Sequence, residues 1–106
     1  MKLTIREHVS ADRRNYFRDW LDSLAVAVRA RIQARVLRFE TGNLGDHKSV
    51  GEGVWEARIM FGAGYRIYFG KEGRSIILLL LAGDKSSQAG DIRKARQLWK
   101  EYLEDK

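Results

Sequence analysis

The chain has 106 residues, no cysteine, two histidines, and 20 Lys and Arg against 14 Asp and Glu, for a net charge of +6. This length gives one domain (1–106) whose core needs no staple, and the lack of cysteine excludes disulfides and thiolate chemistry and suits a reducing compartment. His8 and His47 alone argue against a protein-built zinc site, and the basic balance favours an acidic partner, nucleic acid or an acidic protein.

Residues 2–6 read as a short opening strand, with Leu3 and Ile5 on one side. Ser10 and Asp12 offer N-caps for a helix running to about Leu24, with the stripe Tyr16, Phe17, Trp20, Leu21, Leu24. A second helix is expected over 25–40, with Val28, Ile32, Val36 and Phe39 inward and Thr41-Gly42-Asn43 as its stop. Neither Gly nor Pro separates the two helices, yet a single helix of that length finds too little partner surface, so an antiparallel helical hairpin is expected. The outer face of the second helix carries Arg29, Arg31, Arg35 and Arg38, read first as a solvated basic face and second as an RNA contact.

Residues 42–53, with four glycines, read as a loop. The loop lacks the spacing of a phosphate-binding P-loop, but it feeds the next strand, which brings His47 and Lys48 towards the same face as the basic residues that follow. Residues 53–69 (GVWEARIMFGAGYRIYF) read as a β-hairpin around Gly62-Ala63-Gly64. Alternation puts Trp55, Ala57, Ile59 and Phe61 on one side of the first strand, opposite Val54, Glu56, Arg58 and Met60. On the second strand Tyr65, Ile67 and Phe69 oppose Arg66 and Tyr68. Pairing Phe61 with Tyr65 gathers the apolar sets on one face and sets Arg58 and Arg66 diagonally on the other, with Tyr68 across from Arg58. Adjacent guanidiniums gain nothing for a fold, whereas a phosphodiester compensates them.

The unbroken run over 75–83 reads as a central strand covered on both faces, delivering Gly83-Asp84-Lys85 beside the arginines. Its apolar part, 76–82, is too short to span a bilayer. No secretory signal pattern is present, so a cytoplasmic protein without membrane contact is expected. Ser86 or Ser87 then caps a last helix with the stripe Ile92, Ala95, Trp99, Tyr102, Leu103; Gln88, Asp91 and Lys94 lie at its start. Asp91 is read as complementing the positive helix terminus. The order βααβββα implies an α+β fold: an antiparallel sheet, an N-terminal helical hairpin on one side, a C-terminal helix, and a basic face left partly open.

In this order the segments YFRDWLDSL (16–24), ARIQARVLRFETGNLGDHKSVGEGVWEARIMFGAGYRIYF (30–69) and LLLAGDKSSQAGDIRKA (79–95) resemble the RelE/ParE superfamily of type II toxin–antitoxin systems, within it the HigB-like addiction module killer group. The resemblance implies the RelE-like microbial RNase fold and a ribosome-dependent mRNA endonuclease that inhibits translation. It implies no metal or other cofactor, and attack by the RNA's own 2′-hydroxyl. The implied partners are mRNA, the ribosome and a cognate antitoxin with a helix-turn-helix domain. The family's active basic residues fall on Arg58, Arg66 and Lys85, as phosphate positioning, transition-state phosphate and leaving-group side respectively; the general base is open. Where better-known members have a lysine, this chain has Glu56, read as structural or antitoxin-facing. His47, Lys48, Tyr68, Gln88 and Lys94 are the candidate RNA contacts, Tyr68 by stacking on a base. Two other readings stay open: a ParE-type inhibitor of DNA gyrase, and a non-catalytic repressor or binding module.

Overall fold

The computed structural model describes residues 2–106. The chain runs β1 (Thr4–Glu7), α1 (Tyr16–Asp22), α2 (Val26–Phe39), β2 (His47–Gly51), β3 (Val54–Ile59), β4 (Tyr65–Glu72), β5 (Ile76–Gly83) and α3 (Gln88–Glu104), with a 3₁₀ turn at Lys85–Ser87. The fold is α+β, with a helix pair at its N-terminal end and one helix at its C-terminal end. The sheet has five strands in the order β1-β5-β4-β3-β2, and β1 runs parallel to β5, so it is mixed rather than antiparallel. The strand that sequence reasoning missed is β2, inside the expected loop. HKSVG lies at the sheet edge with no residue fully buried, so no burial pattern marks it. The glycines around it make the turn into β3, where Gly51, Glu52 and Gly53 all take positive φ, at 91°, 54° and 84°.

The helix pair begins later than Ser10 or Asp12. Asn15 is the cap, its side-chain oxygen accepting from the Arg18 amide at 2.9 Å. Ser10 instead hydrogen-bonds Asp12, and its amide donates to the Arg14 carbonyl at 2.9 Å. Arg13, at φ 64°, stands in the left-handed region, so no helix propagates through it. The break between α1 and α2 needs no Gly or Pro: the Ser23 hydroxyl donates to the Trp20 carbonyl at 2.6 Å and Ala25 is extended, at ψ 148°.

Two cores sandwich the sheet. On one face Phe17, Leu21, Ile32 and Phe39 from the helix pair pack on Ala57, Ile59, Ile67, Phe69, Ile77 and Leu79. On the other, Ala95, Leu98 and Trp99 of α3 pack on Val54, Tyr68, Leu78, Leu80 and Leu81. Gly70 gives the Trp99 ring its seat, since a Cβ there would lie 2.3 Å from it. The central strand serves both cores through a bulge. Tyr68 pairs with Leu81 and Phe69 with Leu79, so Leu80 is an extra residue and the alternation reverses after it. The expected open, basic face is therefore a covered one over most of its area: α3 lies on it. Among the described residues no helix is long and apolar enough to cross a membrane.

The hairpin register differs from expectation by two residues. Arg58 pairs with Arg66 and Ile59 with Tyr65, leaving residues 60–64 as the loop. The Phe61 amide donates to the Ile59 carbonyl at 3.0 Å and the Gly64 amide to the Phe61 carbonyl at 3.1 Å, so the chain turns before Phe61 can enter the ladder. A shift of two keeps every side chain on its own face. The two arginines still share a face, but directly opposite one another, and Tyr68 faces Glu56 rather than Arg58.

Candidate functional site

Glu56 and Arg58 are two apart on β3, and Tyr68 and Arg66 are two apart on β4, so the four side chains form a rectangle on the α3 side of the sheet. Glu56 is 0% exposed and serves both cations. Its Oε1 lies 3.8 Å from Arg58 Nε and its Oε2 3.6 Å from Arg66 Nε. These are ion pairs at longer than hydrogen-bond distance; both Nε atoms and Oε1 make no hydrogen bond. The bond that fixes the carboxylate comes from α3, where Gln88 Nε2 donates to Oε2 at 2.9 Å. Glu56 is thus an internal counter-ion, facing neither solvent nor a partner.

Arg66 is 9% exposed, and its Nη1 donates to the Gly64 carbonyl in the hairpin loop at 2.8 Å. The Arg58 side chain is 33% exposed, with Asp46 Oδ2 3.8 Å from its Nε. The Arg58 amide also donates to the Asp46 carbonyl at 2.8 Å, so the segment entering β2 is stitched to the site. Across β4 from the loop, Gly83 pairs with Arg66. A Cβ at Gly83 would lie 2.0 Å from Asp91 Oδ2 and 2.7 Å from Ser87 Oγ, so the missing side chain lets the start of α3 close on the arginine. Lys85 is exposed, and its amide reaches the Ala63 carbonyl at 3.4 Å, which places it at the hairpin tip. Arg58, Arg66 and Lys85 therefore do meet, at one end of the sheet.

The RNA contacts expected from sequence fare unevenly. His47 pairs with Ala57 and its ring sits 5.7 Å from Trp55, so it points to the face opposite the arginines; the in-register β2 strand, absent from the sequence reading, fixes this. Lys48 pairs with Glu56 and is exposed, so it stays on the arginine side. Tyr68 is fully buried under α3 with an unpartnered hydroxyl and cannot stack on a base. Burial, and then the Glu56 carboxylate, push its hydroxyl well above the usual tyrosine range. Gln88 is committed to Glu56. Lys94 lies apart, its ammonium 4.8 Å from the Tyr16 ring centroid. Ser87 stands at the N-cap position of α3, but its hydroxyl donates to Asp91 Oδ2 at 2.6 Å and caps no amide, while Asp84 caps the 3₁₀ turn before it, accepting from the Ser86 amide at 2.8 Å. The Ser86 hydroxyl, with that amide, holds the Asp84 carboxyl below its ordinary value, whereas burial raises that of Asp91.

Sequence reasoning missed one participant, Asp46, and the particular structural role of another, Glu56. Asp46 has no signal of its own, because only β2 brings it to Arg58. The counter-ion role of Glu56 was legible in principle, since a strand places residues 56 and 58 side by side on one face.

No family model matches the chain. A protein of Haemophilus influenzae, described only as an uncharacterized protein, is 43% identical to it over 86 residues, 80% of this chain and 87% of that one. The two belong to one family. In this member of the family the basic cluster is two guanidiniums around one buried carboxylate, with a lysine at the rim. With Asp46 3.8 Å from Arg58, the two guanidiniums face two carboxylates, one buried and one exposed, and the exposed Lys85 at the hairpin tip is the cation in excess.

Proposed function

We propose that the chain is a RelE-like toxin: a metal-independent endonuclease that cuts mRNA on the ribosome, arrests translation, and is held in check by an antitoxin. The observation that carries this reading is the in-register Arg58–Arg66 pair, held in place by Glu56 and Asp46 and joined at the hairpin tip by the exposed Lys85. The likeness of GYRIYF and GDK to the superfamily's motifs supports it. In-line attack by a ribose 2′-hydroxyl places growing negative charge on the phosphoryl oxygens, and guanidiniums already held in position stabilise that charge without reorganising. Phosphate enters from the rim past Gly64, meeting Arg58 and Lys85 first, because Arg66 is nearly enclosed. Glu56 orients the two arginines and has no access to the RNA. Growth arrest on expression, lost in Arg66→Gln with the fold retained, is the expected result; full toxicity of that variant contradicts the assignment.

One observation favours a second reading, a binding-only protein of the gyrase-inhibitor or repressor kind: Arg66 and Tyr68 are enclosed and Glu56 already neutralises part of the pair. Growth arrest with intact mRNA, accompanied by loss of supercoiling activity, decides for gyrase. Normal growth on expression without any antitoxin decides for the repressor.

A further inference from the structure

A second group of cations lies on the other side of the hairpin and takes no part in the arginine pair. Arg31, Arg35 and Arg38 follow the i, i+4, i+7 spacing along α2, about 10 Å of helix on one face. With Ile59, Met60 and Phe61 they line a cleft of ≈ 370 Å³ between α2 and the end of β3. Among the described residues none of the three forms an ion pair, although seven such pairs occur elsewhere in the chain. Arg35 Nε is buried without a hydrogen bond, and its guanidinium occupies the space that a side chain at Gly45 would fill. The Arg31 guanidinium stands 3.9 Å over the Phe61 ring, and Met60 is 76% exposed at the rim.

We infer that this cleft is a binding site for single-stranded nucleic acid, separate from the Arg58–Arg66 pair. Charge sets the sign of the ligand: three guanidiniums without a carboxylate among them need an anion. The aromatic component sets its class. A guanidinium lying over Phe61 offers its outer plane to a base, and Met60 and Phe61 add apolar surface beside it, whereas an acidic peptide has use only for the charges. Neighbouring arginines on the helix then take successive phosphates of the same strand. The inference does not rest on cleavage, because the site lies on the opposite face of the sheet.

The test is binding of a fluorescent 2′-O-methyl oligouridylate, which no 2′-hydroxyl chemistry can cut, to the full chain across a salt series. The double variant Arg31→Gln/Arg38→Gln leaves the half-buried Arg35 in place. Its affinity is expected to fall about tenfold or more at low salt, with the slope of log affinity against log salt smaller by about 1.4 for two lost phosphate contacts. Charge reversal by Arg38→Glu alone weakens binding in the same direction and guards against a misfolded double variant. The same drop on introducing Arg31→Gln/Arg38→Gln into an Arg66→Gln chain separates the site from the catalytic proposal, and Lys100→Gln, an exposed cation on α3 outside both arginine groups, leaves the affinity unchanged. Unaltered affinity in the double variant, or polyglutamate binding as tightly as the oligonucleotide, overturns the inference.

Discussion

The two arginine groups of this protein are built on opposite plans. Arg58 and Arg66 sit on paired strands under α3, with a buried carboxylate between them and backbone bonds on either side. Arg31, Arg35 and Arg38 sit on a helix surface with no counter-ion among the described residues. A guanidinium held in a low-dielectric frame is fixed in place and acts over a short range; one in solvent is mobile, screened by salt and useful for attraction. The first plan suits stabilising charge at one atom. The second suits holding a chain of charges.

Substitutions that separate the plans begin with the largest effect. Glu56→Ala leaves two largely desolvated guanidiniums without their shared anion, and a loss of about 3–5 kcal/mol is expected in urea unfolding. If the cost is no greater than for an exposed glutamate, the pair is more open than described. Gly83→Ala comes next: the added methyl must displace Asp91 and Ser87, so about 1–3 kcal/mol is expected, with the start of α3 shifted off Arg66. Hydrogen exchange in residues 85–92 reports that shift. Arg31→Gln/Arg38→Gln, in contrast, is expected to change stability by no more than about 0.5 kcal/mol, as at most exposed sites, while reducing oligonucleotide binding.

A smaller effect tests how firmly α3 closes the first site. His8 is buried beside Tyr102, with its Nε2 unpartnered, and burial lowers its pKa from the usual 6.5 despite the opposing charge of Glu101. The unfolded chain therefore binds this proton more readily than the folded one. The neutral-state advantage is complete above pH 6.5 and is lost as pH falls below it, until the folded pKa is passed. Thermal unfolding between pH 8 and pH 5 is expected to show this decline, and His8→Phe to flatten it.

The same contrast explains what the sequence could reveal. Hydrophobic alternation put Arg58 and Arg66 on one face, and that survived a register error of two residues because parity is unchanged. The helix pair, the doubly covered central strand and the last helix were legible from apolar spacing. What escaped was whatever depends on long-range packing. An edge strand such as HKSVG carries no burial signature. Nothing local in Tyr68 says that α3 lies over it, and Asp46 reaches Arg58 only because β2 pairs with β3. The open basic face was misjudged for that reason: the stripe of α3 was visible, but not the sheet face it covers.

The central claim is that the in-register arginines stabilise a phosphoryl transition state. Its most direct test is cleavage of mRNA on purified ribosomes, read by primer extension, with the wild-type chain beside Arg66→Gln of confirmed fold. The expected result is a cut by the wild type and a rate at least about 10²-fold lower in the variant, the usual effect of removing one charge-stabilising donor. Intact mRNA with the wild type, or equal cleavage by both, contradicts it.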